Sequence, residues 1–119
     1  MRQHLSLAPD ARAPAAARGL VTRMLAGTRS QADVDSAALL TSELVTNAVL
    51  HGGHTITLTV EDRDGAVRVT VVDDGAGTPA ARLPSPGDGA GRGLHLVDQI
   101  ATRWGVDALG LGKGVWFEL

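Results

Sequence analysis

The stretch VRVTVVDDGAG, residues 67–77, constrains the fold of this chain more than any other. Val67, Val69 and Val71 alternate with a second set of residues, which predicts a strand with one buried face. The same period of two places Asp73 on the buried face, in phase with the valines. Because an unpaired buried carboxylate is costly, we expect a partner for Asp73 in the interior, and the glycines that follow allow a ligand to approach the backbone.

The composition of the chain indicates what kind of protein it is and excludes several others. Its 119 residues are 44% hydrophobic and 20% charged, which predicts a single globular domain over 1–119. A net charge of -2 and an aromatic content of 3% argue against a nucleic-acid-binding protein. The absence of cysteine excludes disulfides and thiolate metal sites. No apolar run has the length of a membrane span, and the first residues lack a signal-peptide pattern, so we expect a cytoplasmic protein without membrane contact.

The hydrophobic pattern predicts an α+β fold, a two-layer sandwich with helices on one face of a mainly antiparallel mixed sheet. Asp10 and Gly27 are the expected cap and stop of the first helix, Ser30 or Asp33 is the expected cap of the second, and both tryptophans are expected in the core. A Pro- and Gly-rich loop covers 75–92. The predicted elements are a strand over 3–7, a helix over 13–26, a helix that ends at His51, strands over 54–62 and 67–73, a helix over about 93–103, and strands over 104–109 and 114–119.

The second predicted helix carries a polar stripe. Glu43, Asn47 and His51 follow one another at intervals of four residues, so they lie along one side of the helix, beside its apolar face. Each of them alone is more typical of a solvated or capping residue. Together with Asp73 they indicate a site in the gap between helix and sheet.

Two groups of glycines border that gap. Gly75 and Gly77 follow Asp73, and a second group, which includes Gly91 and Gly93, leads into the third helix beside Arg92. The first turn of a helix offers free N–H groups and a partial positive charge, which suit a phosphate. Neither group has the G-K-[ST] ending of a P-loop, and the run before the helix does not follow a strand as a Rossmann motif does.

The order of these motifs resembles the GHKL ATPase superfamily, whose ATP-binding (Bergerat) fold is shared by gyrase, histidine kinases and mismatch-repair proteins. The likeness is strongest to the small bacterial anti-sigma-factor serine/threonine kinases and covers about residues 13–119. It is carried by SELVTNAVLHG, VVDDGAG, GRGLHLV and GKGVWFEL.

The resemblance implies a role for each motif. Asp73 would accept a hydrogen bond from the adenine amino group, Asn47 would hold Mg²⁺, and Glu43 would be the catalytic general base. Glycines would let the nucleotide approach the backbone, and a cradle of backbone and cation would hold the phosphates. The cofactor-binding set implied in this way is Asn47, Asp73, Gly75, Gly77, Gly91, Arg92, Gly93 and Leu94.

The implied function is that of an ATP- and Mg²⁺-dependent serine/threonine kinase that binds a sigma factor and phosphorylates an anti-anti-sigma protein of the STAS type, acting as a homodimer. Two alternatives stay open: a nucleotide-binding interaction module with little or no kinase activity, and, least favoured, a detached histidine-kinase domain, since no phosphoacceptor helix pair precedes the motifs. Many relatives carry a threonine near the last turn that supports the aspartate. Gly114 stands at that place here, which we expect to weaken nucleotide binding, and the short lid predicts incomplete closure.

Overall fold

A computed structural model describes residues 1–51, 54–63, 65–74, 91–109 and 112–119. Helices and strands follow in the order expected of an α+β chain. The elements are β1 (Arg2–Leu7), α1 (Ala13–Leu25), α2 (Gln31–His51), β2 (Ile56–Arg63), β3 (Ala66–Asp73), α3 (Gly91–Ile100), β4 (Arg103–Leu109) and β5 (Gly112–Glu118). The predicted 75–92 loop lies outside the described residues apart from its last two positions, which belong to α3.

The sheet has the strand order β1-β2-β3-β5-β4, so β3 is central and β1 and β4 are the edges. Each of the four pairings found in the described residues is antiparallel. Helices α1 and α2 pack against each other, and α2 also contacts β2, β3 and α3. The predicted two-layer α+β sandwich is confirmed.

The core lies between the helices and one face of the sheet. Strand β3 is buried at every second residue, with Val67, Val69 and Val71 almost inaccessible, because period two sends these side chains to the helix layer. Phe117 of β5 is fully buried beside Val69. The predicted strand with one buried face is therefore confirmed.

Local polar contacts set where the first two helices begin. The backbone N–H of Asp33 donates to Ser30 Oγ at 3.1 Å, so Ser30 caps α2 as expected. Asp10 does not cap α1 directly, because its carboxylate accepts from the N–H of Arg12 at 2.8 Å, one residue before the helix. The helix ends at Leu25 ahead of Gly27, whose φ of 82° suits a residue without a Cβ.

Two expectations about the C-terminal third were wrong. Helix α3 spans Gly91–Ile100, not 93–103, and Trp104 lies in β4, where its indole N–H donates to Asp98 at 2.9 Å. Trp104 packs partly buried against the core. Trp116 does not pack against the core, because it is adjacent to the buried Phe117 and so lies on the face of the sheet away from the helices.

No helix in the described ranges is long and apolar enough to cross a membrane.

Candidate functional site

The polar stripe on α2 forms as its spacing predicted. The helix is continuous through Glu43, Asn47 and His51, which places them at successive turns about 6 Å apart along the axis. Glu43 and Asn47 are half-buried, whereas Leu44 and Ala48 beside them belong to the core. The side chain of His51 lies outside the described part of the chain. The two described members therefore lie at the boundary between the buried face of α2 and its surface.

Asp73 ends the central strand on the face that α2 covers. It is 4% exposed and lies opposite Ile56 of β2 on one side and Lys113 of β5 on the other. Since β2 begins five residues after α2 ends, Asp73 lies at the end of the sheet to which the C-terminal part of α2 leads. The inward carboxylate predicted from the strand period is present.

Lys113 forms a hydrogen-bonded ion pair with this carboxylate. Its ammonium nitrogen lies 3.0 Å from Oδ1 and 2.9 Å from Oδ2 of Asp73, and the two side chains are 8% and 3% exposed. The ammonium supplies the opposite charge that a buried carboxylate requires. The expectation of an interior partner is thus met by the chain itself, and the burial of Asp73 no longer argues for a ligand without the other motifs.

The strand register shows which residue of β5 faces Asp73, whereas the weaker nucleotide binding expected from Gly114 stays a prediction. Gly114 pairs with Val72 and lies on the outer face of the sheet, whereas Lys113 pairs with Asp73 on the inner face. The residue that faces the aspartate is therefore lysine, not glycine. Sequence reasoning missed Lys113, although its phase with the inward Phe117 four residues later could have indicated it.

Asp74 follows β3 directly, and its exposed carboxylate connects the end of β3 to the residues before β2. Its Oδ1 accepts the backbone N–H of His54 at 2.7 Å and that of Thr55 at 3.0 Å. The hydrogen bond from the Thr55 N–H is the main cause that lowers the pKa of the Asp74 carboxyl. Burial opposes it, and the hydrogen bond from the His54 N–H adds to the lowering. The residues that lead into β2 are thereby held beside Asp73.

The predicted phosphate cradle is only partly within the described residues. Gly91, Arg92 and Gly93 form the first turn of α3, which packs against α2, and Leu94 is buried. The first-turn N–H groups of a helix have no partner within that helix and attract anions. Gly75 and Gly77, and the side chain of Arg92, lie outside what the structure describes. Helix α2 contacts both β3 and α3.

The residues present are compatible with a nucleotide-bound Mg²⁺ but not with a metal cage. No group of three or more His, Cys, Asp or Glu side chains among the described residues could hold a metal ion. Asn47 offers one carboxamide oxygen, and Mg²⁺ characteristically takes one or two protein ligands beside phosphates and waters. An aspartate at the strand end and the N–H groups of the first turn of α3 are the kinds of acceptor and donor that bind a purine nucleotide.

The sandwich, the Glu-Asn helix, the strand-end aspartate and the glycine-flanked helix define an ATP-binding domain of the Bergerat type. The chain belongs to the histidine kinase-, DNA gyrase B- and HSP90-like ATPase family, which matches residues 32–119. A solved structure of the RsbU and RsbW domains of Rv1364c from Mycobacterium tuberculosis is similar, with a TM-score of 0.73 and 21% identity. The match covers 99% of this chain and 32% of that one. A comparison with curated proteins gave no match.

Proposed function

We propose that this chain binds Mg²⁺–ATP and acts as an anti-sigma-factor serine/threonine protein kinase, which binds a sigma factor and phosphorylates an anti-anti-sigma protein of the STAS type. Membership of the ATPase family supports the nucleotide, and the similarity to a structure that contains an RsbW domain agrees with the regulatory role. The observation that carries the proposal is the half-buried Glu43 one helical turn before Asn47, on the helix that contacts both β3 and α3.

Each residue has a separate task in this proposal. Asp73 accepts a hydrogen bond from the adenine amino group, and the N–H groups that open α3 bind phosphate oxygens. Asn47 contributes one oxygen ligand to Mg²⁺, which neutralises phosphate charge when it is bound. Glu43, a half-buried carboxylate, accepts the proton of the attacking serine hydroxyl.

A second candidate is a nucleotide-binding interaction module without significant kinase activity. The Asp73–Lys113 pair favours it, because the buried carboxylate has its counter-charge without a nucleotide. Because the buried charge of Asp73 is already paired with Lys113, the domain does not need ATP in order to present a surface to a partner protein.

Nucleotide binding is tested first, by calorimetry with Mg²⁺–ATP. We expect Asn47→Ala to abolish the Mg²⁺-dependent part of the affinity. Thr46→Ala is the matched control, because Thr46 is the half-buried neighbour of Asn47 and its hydroxyl donates only to Ser42 of the same helix. Unchanged affinity in Asn47→Ala would contradict the metal assignment, and no binding by the wild type would reject both candidates.

Phosphoryl transfer separates the two candidates. With a STAS-type protein as acceptor, we expect Glu43→Gln to lower the transfer rate by about 10²–10⁴-fold while ATP still binds. Asp35→Asn is the control, since Asp35 is exposed on the same helix and bonded to Gln31. ATP binding without transfer by the wild type would leave the interaction module as the function.

A further inference from the structure

Lys113 is the one cationic side chain that is buried among the described residues. It lies on β5 with its ammonium against both oxygens of Asp73, which is the residue proposed to hold the base. A lysine at this place gives the end of the sheet a hydrogen-bond donor beside the acceptor.

The pair retains hydrogen-bonding capacity of both kinds. An ammonium group has three donors, and its contacts with the two oxygens of Asp73 use at most two of them. No other partner of the Lys113 ammonium is recorded in the described ranges. Asp73 has a further interaction besides Lys113. A carboxylate has about four lone-pair positions, so these contacts need not use all of its acceptor capacity. The pair can therefore present an acceptor and a donor to one edge of a base.

We infer that Lys113 determines nucleobase specificity, by donating a hydrogen bond to the ring N1 of a 6-aminopurine whose amino group donates to Asp73. The inference rests on the proposed ATP binding and adds a residue and a selectivity to it. Adenine presents a donor, its amino group, next to an acceptor, N1. A 6-oxopurine in the same orientation presents an acceptor to the carboxylate and a donor to the ammonium, and such buried mismatches are strongly rejected.

The experiment compares the dissociation constants of ATP and 1-deaza-ATP, in which a C–H group replaces N1 and the amino group is kept. For the wild type we expect ATP to bind at least about tenfold more tightly, as for loss of a hydrogen bond to a charged group. In Lys113→Met the ratio should fall to less than about twofold. Lys113→Gln should keep part of the ratio, because its carboxamide still donates. Arg103→Met, which removes an exposed cation on the opposite face, should keep all of it.

Three results would overturn the inference: equal binding of the two nucleotides by the wild type, an unchanged ratio in Lys113→Met, or tighter ATP binding in Lys113→Met. The last would mean that Lys113 competes with the base for Asp73. Circular dichroism establishes that each variant is folded, and if Lys113→Met is not, a ratio in Lys113→Gln equal to the wild-type ratio is the overturning result. Failure of the wild type to bind ATP rejects the proposed function and this inference together, whereas ATP binding without a preference for N1 rejects the inference alone.

Discussion

Strands β3 and β5 hold two ion pairs, one on each face of the sheet. On the inner face Lys113 and Asp73 are 8% and 3% exposed. On the outer face Arg68 donates to Glu118 at 2.8 Å, with side chains that are 30% and 16% exposed, and Arg103 of β4 donates to the same carboxylate. The distances are nearly equal, and the two pairs differ mainly in how much water they retain.

That difference in hydration decides what each pair contributes. An ion pair near the surface gains little, about 0–1 kcal/mol, because water and salt screen it and its long side chains lose freedom. A buried pair gains little net stability over apolar residues of similar size, but loss of one partner leaves a buried charge without compensation. The outer pair therefore contributes modestly to the stability of the sheet, whereas removal of only one member of the inner pair should destabilise the fold strongly.

The largest effect that we expect comes from breaking the inner pair. Lys113→Met should lower the free energy of unfolding by about 3–5 kcal/mol, because Asp73 is left buried without its counter-charge. Arg103→Ala, on the outer face, should cost less than about 1 kcal/mol. Urea denaturation of the two variants measures both, and similar losses would show that burial does not distinguish the faces.

The double variant Asp73→Leu/Lys113→Met sharpens the same comparison. Since both charges are removed together, most of the stability lost in Lys113→Met should return. A double variant no more stable than Lys113→Met would mean that the lysine acts through packing and not as half of an ion pair.

A smaller loss is expected from Gly112→Ala at the start of β5. A Cβ at Gly112 would overlap the carbonyl oxygen of Asp73 and come within 3.1 Å of the Cα of Asp74. Because those atoms are backbone, β5 must shift away from β3, at a cost of about 1–3 kcal/mol. Gly19→Ala is the control, since it lies inside α1 with only the flexible end of Arg23 nearby, and it should stabilise by about 0.5–1 kcal/mol. Equal thermal shifts for the two variants would contradict the close approach.

The comparison of the two faces also shows what the sequence alone could predict. The alternation in β3 was sufficient to place Asp73 inside, and the spacing on α2 was sufficient to place Glu43 and Asn47 on one side of a helix. These are properties of a single element. The partner of Asp73 depends on the register between β3 and β5, which local pattern does not encode, so the sequence did not identify Lys113 as the residue that faces the carboxylate.

Trp116 was misplaced for a related reason. Its size favours a core position, but the phase of β5 is set by Phe117, and a residue adjacent to an inward one faces outward. The start of α3 at Gly91 was also missed, because glycines that end a loop and glycines that open a helix have the same local sequence signal. The predictions that needed only one period succeeded, whereas the partner of Asp73, the face of Trp116 and the bounds of α3 were not predicted correctly.

On the outer face, Gly105→Ala tests the packing around Trp116. A Cβ there would lie 2.8 Å from three atoms of the indole, so the ring must move, and Arg68, now 4.0 Å from its centroid, would lose its stacking contact. We expect a loss of about 0.5–1 kcal/mol, the size of an exposed cation–π contact. In a Trp104→Phe background, Trp116 is the one remaining tryptophan of the sequence, and iodide quenching of its fluorescence should increase. Unchanged quenching would show that Trp116 accommodates the methyl group without exposure.

The smallest effect concerns the acid limb of the stability profile. Hydrogen bonds from Arg103 and then Arg68 lower the pKa of the Glu118 carboxyl from its ordinary value of 4.5. The unfolded chain therefore binds this proton at a higher pH than the folded protein, so the contribution of Glu118 is complete above about pH 4.5 and is lost as the pH falls through the lowered pKa. Glu118→Gln should be less stable than the wild type by less than about 1 kcal/mol at neutral pH and should lose less stability in that acidic window. Arg103→Ala should also reduce the loss of stability between neutral and acidic pH, since it removes the larger cause of the lowered pKa of Glu118. Urea midpoints measured from pH 7 down to pH 3 at low salt test this, and parallel profiles for wild type and Glu118→Gln would mean that the outer pair leaves the acid stability of the sheet unchanged.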